Sequence, residues 1–164
     1  MNIALFLQMA AEACPDRPAL THHGKHYTYA QLFSAAKRAA LYFSTGNCKF
    51  VCLLDTSSPA TPIALMGAAI AGIPYVPLNY RLSEEQLTPL LDRINPAYLI
   101  SGPRNETYDF DGWVVQDSAD FLSDVLNGEE VEVTWHEDPS AVAVQLFTSG
   151  TTGIPKAALL RHEH

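Results

Sequence analysis

The sequence predicts an α/β fold, a largely parallel sheet with flanking helices, and three observations carry that reading. Short apolar runs alternate with stretches of helical periodicity along the chain, the pattern of strands joined by helical crossovers. Two capping boxes, Thr28 with Gln31 and Ser83 with Gln86, mark where two of those helices begin. The strand candidates at residues 49–54, 72–79 and 97–101 are short and mostly apolar, as strands covered on both faces must be. With 164 residues, 48% hydrophobic and 17% charged, the chain can bury one core and fold rather than stay disordered.

The elements follow in order. The apolar residues 1–14 form a first helix, interrupted by Gln8 and Glu12 and ended near Pro15. Those interruptions and the lack of a basic start argue against a signal peptide. Residues 19–22 and 26–29 read as two short strands around Gly24. Their histidines, His22, His23 and His26, have no supporting carboxylate or cysteine, so they read as a wet hairpin rather than a metal site. Thr28 then opens a helix that Tyr27 and Leu32 are placed to staple. Leu32, Ala36, Ala39 and Phe43 repeat at helical spacing, and the helix stops around Gly46. The small alanines on that face imply close packing against something flat, most simply a sheet.

Residues 49–54 form a strand, and residues 55–58 a polar turn. In an open α/β sheet such a turn lies at the carboxyl edge, where ligands bind, although capping a helix that begins near Pro59 or Pro62 explains it more simply. That helix, through Ala71, is rich in alanine and glycine with almost no charge, so it is buried on several sides. A strand between prolines occupies residues 72–79. Leu82 and Leu87 staple the second capping box, Leu87, Leu90, Leu91 and Ile94 supply a buried stripe, and Pro89 predicts a kink or an early break. Residues 97–101 are the third strand.

Between Arg104 and Lys156 there is no lysine or arginine, while carboxylates accumulate from Glu106 to Asp138. They are scattered over a turn, a short strand at residues 113–115 and a helix at residues 118–126, so they read as a solvated excursion rather than a magnesium or acid–base site. The formal net charge of −8 argues against nucleic acid or an anionic membrane as a partner. Residues 63–78, the longest apolar stretch, are broken by Gly72, Pro74 and Pro77 and fall short of the roughly 20 residues a bilayer requires, so no integral membrane segment is expected. Cys14, Cys48 and Cys52 lack metal-ligand spacing. On one strand Cys48 and Cys52 would stand about 13 Å apart, too far for a disulfide, and a reducing cytoplasmic compartment fits.

The most informative stretch is Phe147-Thr148-Ser149-Gly150-Thr151-Thr152-Gly153-Ile154-Pro155-Lys156, between two apolar runs, residues 141–147 and 157–160, that each read as a buried strand. Glycine lets the backbone approach a ligand so that successive N–H groups converge on an anion. The hydroxyls add donors, and Lys156 adds a point charge suited to phosphate oxygens. The common nucleotide P-loop is excluded, because Ile154 and Pro155 separate Gly153 from Lys156 and Pro155 disfavours a helix there. A polar hairpin turn is the plainer reading of the composition.

The nine residues from Thr148 to Lys156 resemble the signature loop of the AMP-forming acyl-adenylate synthetases, the superfamily of acyl-CoA synthetases, peptide-synthetase adenylation domains and firefly luciferase. Ala157 stands where many members have glycine, and alanine fits a strand there. His162 sits where many members carry a histidine. A looser resemblance covers residues 69–100, with an alanine-rich helix, a Tyr-Val-Pro-Leu strand and an acidic helix start.

What the resemblance implies is a two-step ligase. A carboxylic acid attacks the α-phosphorus of ATP to give an acyl-adenylate and pyrophosphate, and a thiol, often coenzyme A, takes the acyl group. Thr148, Ser149, Gly150, Thr151, Thr152, Gly153 and Lys156 are then assigned to the triphosphate. Lys156 has a catalytic role in stabilising charge on the departing pyrophosphate, and Mg²⁺ shares that load. On this reading residues 1–164 are the N-terminal portion of an AMP-binding domain. The adenine, Mg²⁺ and CoA sites would lie beyond them, so the chain alone is expected to be inactive. An acyl-CoA ligase is the first expectation. A peptide-synthetase adenylation domain, an acyl-ACP ligase and a freestanding nucleotide-binding module are the alternatives.

Overall fold

The computed structural model describes residues 1–103, 108, 110–148 and 155–164. Helix α1 (Ala4–Ala13) leads into a hairpin of β1 (Pro18–His22) and β2 (Lys25–Thr28). There follow α2 (Tyr29–Thr45), β3 (Phe50–Leu54), α3 (Ala60–Ala71), β4 (Tyr75–Pro77), α4 (Glu84–Leu91), β5 (Ala97–Ser101), β6 (Val114–Asp117), α5 (Ser118–Asn127), β7 (Val142–Thr148) and β8 (Lys156–Arg161).

Local chemistry accounts for most of these boundaries. The hairpin turns at His23 and Gly24, whose φ angles of 48° and 76° both lie in the left-handed region that a two-residue β-turn needs to match strand twist. Both capping boxes form. Thr28 Oγ1 accepts from the Gln31 N–H at 3.2 Å while Gln31 Oε1 accepts from the Thr28 N–H at 2.9 Å, and Ser83 and Gln86 exchange the same pair of bonds. Helix α4 passes through Pro89 and ends at Leu91. The burial of Leu87, Leu90 and Leu91 holds the turn that the missing N–H weakens, and the helix stops early, as expected.

Six strands form the main sheet in the order β6-β5-β3-β4-β7-β8, parallel throughout except for the antiparallel pair β7–β8. The largely parallel α/β sheet read from the sequence is therefore what the chain builds. Successive residues of a strand point to opposite faces, so Val51 and Leu53 join one hydrophobic core while Cys52 and Leu54 join the other. The first core lies under α1, α2, α3 and α5, and the second under α4 together with Tyr108, Phe110 and Trp113. Among the described residues no helix is long and apolar enough to cross a membrane.

Two expectations need correction. The alanine face of α2 packs on a helix: Ala36, Ala39 and Ala40 meet α3 at Gly67, while the larger Phe43 reaches the sheet, its ring 5.0 Å from that of Tyr98 on β5. Small side chains permit close approach to any surface, and here the surface is a helix whose own glycine faces them. The second correction concerns β7 and β8. Both are strands, but along β7 only Ala143 is buried, and β8 is exposed at every position. β8 is the outermost strand and packs chiefly on β7. Apolar composition makes a strand without specifying that anything covers it.

Candidate functional site

All five parallel strands deliver their C-terminal ends to one edge of the sheet, at Leu54, Pro77, Ser101, Asp117 and Thr148. In open α/β sheets this edge is where ligands bind. At β3 the edge carries the turn at residues 55–58. Ser58 Oγ accepts from the Ala60 N–H at 3.2 Å, at the start of α3, while Asp55 Oδ1 accepts from the Thr56 N–H at 2.6 Å within the turn. Asp55 also occupies the space a Cβ on Gly102 would fill, which closes the edge between β3 and β5.

The β7–β8 hairpin leaves the same edge. Ser149, Gly150, Thr151, Thr152 and Gly153, assigned to phosphate binding from the sequence, lie outside the described residues. Thr148 and Lys156 are described, and they are brought together: they face each other as the last register pair of the antiparallel ladder. The Thr148 hydroxyl donates to the Lys156 carbonyl at 3.3 Å, a bond that pinches the two ends of the segment toward one another. Both residues are exposed, so the Lys156 ammonium is presented to solvent at the mouth of the hairpin.

Arg93, between α4 and β5, is a residue the sequence reading missed. Its Nη1 donates to the Pro155 carbonyl at 2.6 Å, and its guanidinium carbon sits 5.2 Å from the centre of the Phe147 ring. It thereby touches both stems of the hairpin. An exposed arginine 62 positions away from Pro155 carries no local signal of such a contact.

The chain after β8 turns back into the fold. His162 is buried, its N–H donates to the Ala141 carbonyl, and its Nδ1 accepts from the Ile3 N–H at 3.3 Å. Next to it Asn2, also buried, donates to the carbonyls of Ala69 and His136. Burial holds the His162 imidazole below the ordinary histidine range. The amino terminus and His136 push in the same direction, and Asp138 opposes them. The sign of the consequence follows: above the unfolded value of about 6.5 the ring is neutral in both states and its contribution is fully present. As pH falls below that value the unfolded chain takes the proton first and stability is lost. Denaturant unfolding at pH 7.5 and 5.5 should show this loss, and His162→Asn should shrink the difference between the two pH values.

Among the described residues no group of three or more His, Cys, Asp or Glu lies together.

The chain and its fold are similar to known proteins. A family model described as AMP-binding enzyme matches residues 7–164. The chain is 29% identical over 163 residues to nonribosomal peptide synthetase 8 of Aspergillus fumigatus, covering 95% of this chain and 2% of that one. It is 24% identical over 158 residues to the D-alanine–D-alanyl carrier protein ligase of Staphylococcus aureus, covering 95% of this chain and 31% of that one. The fold superimposes on the o-succinylbenzoate CoA synthetase of Bacillus subtilis with a TM-score of 0.80 at 25% identity, covering 96% of this chain and 33% of that one. The chain thus spans a third or less of the length of these relatives.

Proposed function

The chain belongs to the AMP-binding enzyme family, and on that premise we propose that it is the N-terminal portion of an ATP-dependent ligase that forms an acyl-adenylate. The observation that carries the reading is the hairpin at the carboxyl edge, with Thr148 and Lys156 paired at its mouth around the sequence Ser-Gly-Thr-Thr-Gly-Ile-Pro. In this role the hydroxyls, backbone N–H groups and Lys156 hold the triphosphate. A carboxylate oxygen of the acid bonds to the α-phosphorus, the bond to the β-phosphate bridging oxygen breaks, and the electron pair leaves with pyrophosphate. Donors fixed around the β- and γ-phosphates favour that charge over bulk water.

Ser149, Gly150, Thr151, Thr152 and Gly153 belong to the same proposed triphosphate site on the strength of the motif. The acyl group then passes to a thiol. Coenzyme A is the first reading, in keeping with the CoA synthetase whose fold the chain shares. A carrier-protein thiol is the second, favoured by the peptide synthetase and the carrier protein ligase among the relatives. Three free cysteines are in keeping with a reducing, cytoplasmic setting.

The test is carboxylate-dependent ATP–pyrophosphate exchange by an intact enzyme that carries this chain, followed by thioester formation with coenzyme A or a carrier protein. Exchange with no member of a broad acid panel would reject the ligase reading, and exchange by residues 1–164 alone would reject the partial-domain reading.

A further inference from the structure

We propose that Arg93 is a positioning residue for the phosphate-binding hairpin, a role that rests on the function proposed above. Thr148 and Pro155 bound the segment at residues 149–154, and a triphosphate site needs those two ends held at a fixed separation while the segment meets its ligand. Two contacts serve that end. The Thr148 hydroxyl reaches the Lys156 carbonyl, a bond made within the hairpin itself. Arg93 supplies the other from outside it, with Nη1 on the Pro155 carbonyl and the guanidinium carbon 5.2 Å from the centre of the Phe147 ring.

One rigid group therefore ties the outgoing stem to the incoming one. It does so from a well-anchored base: Arg93 lies between the buried Leu91 and Ile94, and its own N–H donates to the Leu90 carbonyl. Phe147 packs against that same hydrophobic core, so the ring under the guanidinium is itself held in place. β4 and β7 share a single register pair, Tyr75 with Val144, so the ladder gives the far end of β7 little support. The planar fork of arginine is suited to the double task, since it donates in its plane and stacks on its face. The carbonyl it holds belongs to the residue immediately before Lys156, so the contact orients the backbone from which that ammonium projects.

Hydrogen exchange and ligand binding on the wild type, Arg93→Ala and Arg93→Lys test this together. In Arg93→Ala, exchange at residues 146–148 and 156–158 is expected to quicken about three- to tenfold, with β3 and β5 unchanged. Affinity for inorganic tripolyphosphate, measured by calorimetry, is expected to fall by a similar factor. Arg93→Lys, which keeps the charge and a donor, is expected to recover part of both. Unchanged exchange at the stems, or faster exchange across the whole sheet, overturns the proposal. Loosened stems with undiminished tripolyphosphate affinity overturn it as well, because the contact is then merely structural. If the wild type itself does not bind tripolyphosphate, the phosphate reading of the hairpin fails, and the positioning role falls with it even if the stems loosen.

Discussion

Lys156→Ala is expected to lower ATP–pyrophosphate exchange by the intact enzyme about 10²- to 10³-fold, the cost of removing one well-placed donor from a site where charge develops. The side chain is exposed, and among the described residues its interactions run through its backbone, which pairs with Thr148 and accepts that residue's hydroxyl. Alanine preserves both. The substitution should therefore leave the melting temperature within about 2 °C, since exposed positions outside special features change stability by roughly 0.5 kcal/mol or less. A loss of exchange with an unchanged melting curve places the effect in the chemistry. Undiminished exchange would remove Lys156 from the triphosphate site, and a collapsed melting curve would show that the strand needs the side chain for folding.

Gly67→Ala is expected to destabilise the fold. A Cβ built at Gly67 lies 2.8 Å from the Ala39 Cβ, 3.0 Å from the Ala36 carbonyl oxygen and 3.2 Å from the Ala40 nitrogen. Two of those neighbours are backbone, so no rotamer change relieves the crowding and α2 must move away from α3. In an isolated helix alanine would be favoured over glycine by about 1 kcal/mol. Here overpacking of about 1–3 kcal/mol is set against that gain. The difference, a net destabilisation of about 0–2 kcal/mol, should lower the melting temperature by up to about 4–8 °C, and Gly67→Leu should prevent the two helices from docking. A melting temperature raised by Gly67→Ala would show that helix propensity wins and that the contact is slack.

Different parts of this fold were legible to different degrees. Capping boxes at Thr28 and Ser83 are local, since three consecutive φ/ψ pairs and two side chains complete them, and both form where the sequence places them. The strand at Ala97–Ser101 was equally clear, because a short apolar run bounded by Pro96 and Gly102 admits few other structures. The alanine face of α2 was legible as a close-packing surface but not as the partner of α3, because the glycine that receives it lies in a different helix. The strand character of β8 was legible and its exposure was not.

The candidate site shows the same division. The nine residues from Thr148 to Lys156 are nominated by their composition and order together with their resemblance to a family motif, and no tertiary information is needed for that. Arg93 has no such signature. Its role depends on α4 and β5 being brought beside β7, and an exposed cation at the end of a helix usually does no more than meet solvent.

The sequence by itself therefore determined most of the elements and the parallel α/β class, and it nominated the stretch from Thr148 to Lys156 as a candidate site, because each rests on short-range features: caps, periodicity, and glycines and hydroxyls in a row. Only the tertiary structure decided which surfaces meet. It set α3 rather than the sheet against the alanines of α2, placed β8 outside β7 within residues 1–164, buried His162 against Ile3, and carried Arg93 across to Phe147 and Pro155. These contacts depend on the strand order β6-β5-β3-β4-β7-β8. That order is a property of how the crossovers pack as a set, and no window of the chain contains it.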